Sequence, residues 1–215
     1  MVTMLIVTML LVVLGLAREA VNGNGGGYGL AHALEILRQG PPAEKLKALE
    51  LLARVADMQV IPALVQALHD SDSRVRAAAE SVMWTIWLRS GDEQIDALMA
   101  EGIRLMESER YPEAAEIFDQ MVAGAPQFAE GYNKRATVYY LMQEFEKSIV
   151  DIQTTLELNP VHFGALSGMG LCYLGLEDPR QALEWFERAI AVNPNMVTIQ
   201  SYIQQLREFL KNQTL

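Results

Sequence analysis

Cysteine is almost absent. The 215-residue chain holds one, Cys172, so no disulfide forms within it and no zinc site can be built on several thiolates. Histidine is scarce too. His32, His69 and His162 stand in distant segments and no H-E-x-x-H pair occurs, which removes a helix-borne zinc site. Basic residues are in deficit: 17 Lys and Arg face 27 Asp and Glu, for a net charge of -10. A nucleic-acid binder needs a basic footprint against phosphate, so that class is excluded. Runs of β-branched residues with period two are missing outside the apolar N-terminus, and nothing there reads as a strand.

Catalytic constellations are missing as well. Ser167 sits in ALSGM, not in a G-x-S-x-G elbow. Cys172 lies in a helical pattern beside Gly170 and reads as a small buried hydrophobe. The glycine-rich stretch NGNGGGYG, 22–29, is followed by no Gly-Lys-Ser/Thr and does not complete G-x-G-x-x-G, so it is not a phosphate loop. The chain is therefore expected to be no enzyme and to take no cofactor.

One long hydrophobic run is present. Residues 1–17, MVTMLIVTMLLVVLGLA, end at Arg18. Such a run fits a secretory signal or a short membrane anchor. A buried first helix or a mis-assigned start is the third reading. The expected location is thus secretory, extracytoplasmic or membrane-associated, an organelle included, with membrane contact through residues 1–17. Residues 18–29 read as a glycine-rich linker. Charge is distributed unevenly: residues 1–90 hold 8 acidic and 8 basic residues, and residues 91–215 hold 19 and 9. The two parts are built differently.

Pro126, Pro160 and Pro194 recur at intervals of 34, each at the end of a helical pattern. Setting three repeats at 95–128, 129–162 and 163–196 aligns small residues at the eighth position, Gly102, Ala136 and Gly170, and at the twentieth, Ala114, Ser148 and Ala182. Large residues occupy the twenty-fourth, Phe118, Ile152 and Phe186. Small residues allow two helices close approach while large ones fill the space beside them. This pattern resembles the tetratricopeptide repeat, a helix–turn–helix hairpin of that length. The seventh position departs from it, with Glu101 and Arg135 where an apolar residue is usual. Residues 197–212 carry Ile199, Tyr202, Ile203, Leu206 and Leu210 on one face and read as a capping helix. Upstream, residues 60–90 have Pro62 eight residues before Asp70, with Val75-Arg76 after it. This is similar to a HEAT repeat, with a weaker copy before it, so 30–90 are read as HEAT-like. The fold expected is all-α: a solenoid of HEAT-like hairpins, three tetratricopeptide hairpins and a cap.

The resemblance implies a function: stacked first helices line a groove that holds a protein or peptide partner. The groove candidates are Met99, Ile103, Asn133, Lys134, Thr137, Tyr140, Ser167 and Leu171. Co-chaperone members of the family clamp a chaperone's C-terminal carboxylate with Lys and Asn in the first repeat, Asn in the second, and Lys and Arg in the third. The matching positions here are Met99, Ile103, Lys134, Gly164 and Gly168. Four of these five are uncharged, so no binding of chaperone tails is expected. The resemblance thus implies a scaffold, adaptor or assembly factor. The alternative is a regulatory or targeting subunit docked on an enzyme or an organelle membrane complex.

Overall fold

The computed structural model describes residues 29–212. The apolar run 1–17 and nearly all of the glycine-rich segment lie outside the described residues. Among those described there are eleven α-helices and no strand, and no helix is long and apolar enough to cross a membrane. The chain divides into two compact units, one ending at Ile86 and the other starting at Trp87.

The first unit contains α1 (Leu30–Gln39), α2 (Pro42–Val55), a 3₁₀ turn (Met58–Val60) running into α3 (Ile61–Ala67), and α4 (Ser73–Trp87) as far as Ile86. Gly40-Pro41-Pro42 separates the first two helices because proline lacks the amide a continuing helix would use. Pro42 instead opens α2, where that amide has no partner to lose. The Asp70–Ser73 turn works through side-chain oxygens. Asp70 accepts from the Asp72 amide at 2.9 Å, and Asp72 from the Arg74 amide at 2.8 Å. Lys45 of α2 donates to Asp70 at 2.6 Å, which ties that turn to the preceding helices. Leu49, Leu52, Leu64, Leu68, Val75 and Met83 form the buried interior.

The second unit contains three hairpins: α5 (Glu93–Glu107) with α6 (Tyr111–Gly124), α7 (Ala129–Leu141) with α8 (Phe145–Leu158), and α9 (Phe163–Gly175) with α10 (Pro179–Val192). A last helix, α11 (Val197–Asn212), packs on α10. The eighth and twenty-fourth positions meet as the pattern requires. A methyl group on Gly102 would stand 2.5 Å from the Phe118 ring, and one on Gly170 would stand 2.5 Å from Phe186. Glycine is thus what lets these backbones touch a fully buried ring. At the same position Ala136 tolerates a Cβ because Ile152, a narrower side chain, faces the hairpin interior. Ile199, Ile203 and Leu206 of α11 cover Phe186 and Ala182, and Tyr202 stacks on Phe186 with centroids 5.5 Å apart. The cap therefore closes the core that the third hairpin leaves open.

Each hairpin turn is the same, although no glycine marks it. Glu109, Gln143 and Glu177 take φ of 58°, 62° and 59°. The following amides return to the first helix five residues back, from Arg110 to Leu105, Glu144 to Tyr139 and Asp178 to Tyr173, at 2.8–2.9 Å. This is a left-handed helix stop in which the turn capture satisfies otherwise open carbonyls. Arg135, out of pattern at its seventh position, also has a structural reason. It grips Asp151 with two bonds of 2.7 and 2.6 Å and reaches Asp119 of the preceding hairpin at 2.7 Å. A planar guanidinium with several fixed donors suits such a bridge.

Candidate functional site

Five of the eight groove candidates share one pocket. Asn133, Thr137 and Tyr140 come from α7, and Ser167 and Leu171 from α9. Their spacing of three or four residues places each set on one helix face. Ala136, Ser148, Ile152, Gly164 and Gly168 complete the lining, around a volume of about 140 Å³. No charged side chain lines it. Gly168 keeps the wall low: a methyl there would meet the tip of Ile152 at 3.4 Å, an ordinary contact. Behind the wall, Cys172 is fully buried and donates its thiol to Ser148 Oγ at 3.2 Å, while Ser148 donates to the Ala136 carbonyl at 2.8 Å. Burial raises the Cys172 thiol pKa, so this sulfur is a packing group and not a nucleophile.

The other three candidates are placed elsewhere. Met99, expected at the groove surface, is 5% exposed and belongs to the cluster of Ile95, Leu105, Phe118 and Met121. Ile103 packs against the same cluster. Both are apolar residues on an amphipathic helix; Met99 is buried in the core, while Ile103 is half-buried against it. Lys134 points its ammonium to Glu130 at 3.1 Å.

Glu130 is the feature that sequence reasoning missed. Its position marks it as a groove acid, yet its side chain is fully buried. Asn133 donates to both carboxylate oxygens, at 3.2 and 3.1 Å, and His162 Nε2 lies 2.8 Å from Oε2. His162 Nδ1 accepts the Ala165 amide at 3.0 Å, capping α9. That bond leaves the ring proton on Nε2, which donates to Glu130. The His162 ring stacks on Trp87 with centroids 4.2 Å apart, and Trp87 also leans on Phe163. Burial pushes the Glu130 carboxyl up, but the Lys134 ammonium and the His162 hydrogen bond outweigh it and hold the group at about 2. A buried carboxylate with four donor contacts is a satisfied ion. One signal was available: Glu130 and His162 are 32 residues apart, close to one repeat period, so they stand on adjacent hairpins.

Among the described residues no group of three or more His, Cys, Asp or Glu is arranged to hold a metal.

The HEAT repeat family matches residues 30–104 and the tetratricopeptide repeat family residues 164–196. The chain carries HEAT repeats followed by tetratricopeptide repeats. A TPR repeat-containing protein of Rhizobium etli is 35% identical over 124 residues, 58% of this chain and 61% of that relative. The chain therefore spans about three fifths of that relative's length. The first TPR domain of Spaghetti (RPAP3), solved bound to the HSP90 peptide SRMEEVD, covers 55% of this chain and 94% of that domain at 19% identity, with a TM-score of 0.54. The TPR2B domain of yeast Sti1, solved in complex with an Hsp70 peptide, covers 54% and 98% at 20% identity, with a TM-score of 0.51. At these identities the likeness shows the tetratricopeptide fold. It does not carry over what those domains bind.

Proposed function

We propose that this protein is a non-catalytic adaptor that holds a segment of a protein partner in its tetratricopeptide groove, and that the groove does not take acidic chaperone tails. The pocket between α7 and α9 carries the first part. It is uncharged, and it is assembled mainly from half-buried and buried residues of two adjacent first helices, the setting in which stacked hairpins bind extended or helical segments. Glu130 supports the second part. The cation and the amide nearest the pocket, Lys134 and Asn133, are already bonded to a carboxylate of the chain itself. The remaining clamp positions hold a buried methionine, a packed isoleucine and two glycines.

A photo-crosslinking residue at Leu171 tests the reading. It is expected to capture a partner, to be identified by mass spectrometry, and Gly168→Leu, which fills the pocket, is expected to abolish capture. Capture that survives Gly168→Leu refutes it. Micromolar binding of the peptide SRMEEVD to the full chain refutes the exclusion of acidic tails.

A further inference from the structure

We infer that the pocket between α7 and α9 receives a basic side chain, Lys or Arg, of the partner segment. This rests on the reading of that pocket as the partner site. The argument is a donor and acceptor count. Thr137 Oγ1 donates to the Asn133 carbonyl at 2.8 Å, and Ser167 Oγ donates to the Gly164 carbonyl at 2.9 Å. A carbonyl only accepts, so each hydroxyl has given its one hydrogen to the backbone and keeps lone pairs for a ligand. Ser148 has likewise donated to Ala136 and accepts from Cys172. The Asn133 amide nitrogen is engaged by the Glu130 carboxylate, and its Oδ1 keeps its lone pairs for a ligand. The Ala165 amide at the start of α9 is held by His162. Among the pocket's side chains, the donors that remain are the Tyr140 hydroxyl, which makes no hydrogen bond to the described residues, and the Asn133 amide hydrogen turned away from Glu130.

The pocket thus offers a ligand mainly acceptors. A carboxylate, which only accepts, finds the Tyr140 hydroxyl, one Asn133 hydrogen and the Gly164 amide, each a lone donor, and no cation. An ammonium or guanidinium, which only donates, finds Asn133 Oδ1, Thr137 Oγ1 and Ser167 Oγ. The rest of the lining fits such a side chain too. Leu171, Ile152 and Ala136 supply apolar lining for its methylene stem, and Tyr140 supplies an aromatic ring. A volume of about 140 Å³ exceeds what one water needs, ~10–15 Å³ by the same kind of measure, and suits a long side chain. Charge complementarity extends beyond the pocket: residues 91–215 carry 19 acidic against 9 basic residues, a field that draws a basic segment in and repels an acidic one.

The test is selection of random twelve-residue displayed peptides on the full chain, followed by affinity measurement on the wild type, on Thr137→Val with Ser167→Ala, and on Gly168→Leu. The double variant keeps shape and net charge, so non-specific attraction of basic peptides is unchanged while two acceptors are removed. Selected peptides are expected to share a Lys or Arg and to bind the double variant about tenfold more weakly, since a hydrogen bond to a charged group contributes on this scale. Ser167→Ala alone is expected to give a smaller loss of the same sign and serves if the double variant fails to fold. Peptides that Gly168→Leu blocks but that share an aliphatic or acidic anchor, or that bind the double variant at wild-type strength, overturn the inference and leave the groove reading standing. Selection of no peptide sensitive to Gly168→Leu overturns both.

Discussion

Replacing Glu130 by Gln is the sharpest test of the buried network. Gln keeps the size of the side chain and one acceptor for the His162 proton, but it removes the charge that balances Lys134. Breaking a buried ion pair by removing one partner costs about 3–5 kcal/mol. The Lys134 side chain is 17% exposed, so its ammonium can turn toward water, and the lower end of that range applies. The carboxyl pKa gives a matching figure. A group held at about 2 rather than its ordinary 4.5 stabilises the folded state by about 3 kcal/mol at neutral pH. In acid, the unfolded chain binds this proton first, below pH 4.5, and the folded chain only near pH 2. The contribution is therefore complete above about pH 5, falls to less than half at pH 3 and vanishes below pH 2. Urea denaturation followed by tryptophan fluorescence is expected to show Glu130→Gln about 2–3 kcal/mol less stable than wild type at pH 7. The gap is expected to be less than half as large at pH 3. A gap below about 0.5 kcal/mol at pH 7, within the usual spread for surface substitutions, or one that does not shrink in acid, refutes the account.

Gly170→Ala places a methyl 2.5 Å from the buried Phe186 ring. Overpacking of about 1–3 kcal/mol outweighs the ~1 kcal/mol that alanine gains in a helix, so the urea midpoint is expected to fall; a rise would show that the hairpin is not in contact there. Glu177→Gly relieves a left-handed residue at φ 59° and is expected to raise stability by about 0.5–1 kcal/mol. A lower midpoint in the same assay would show that the turn is not strained.

Much of the second unit was legible in the sequence because its packing rules are local and repeated. Gly102 and Gly170 are small, and Phe118 and Phe186 are large, sixteen positions later in each repeat. A helix pair that must close on a ring admits little else at those places, and three prolines at a fixed interval set the register. The polar connections were not legible. Arg135 departs from the repeat pattern in sequence, and its reason, Asp119 and Asp151 on either side of it, exists only in the fold. The hairpin turns carry Glu109, Gln143 and Glu177 where a glycine would have announced the left-handed backbone. Among the groove candidates, spacing identified the face that Asn133, Thr137, Tyr140, Ser167 and Leu171 share. It did not tell display from burial for Met99, since both outcomes use the same apolar residue at the same period.

The sequence by itself determined the class of fold, the repeat period and the scarcity of groups able to do chemistry, because these follow from composition, helical periodicity and small-to-large spacing. The tertiary structure decided the polarity of the groove. Whether Asn133 offers a donor or an acceptor depends on Glu130 being buried beside it, and Glu130 stays charged there only because Lys134 and His162 approach within 3.1 and 2.8 Å. Hydrogen bonds between stacked hairpins join residues about one repeat apart. Only the assembled stack says which of their atoms are already engaged and which remain for a partner.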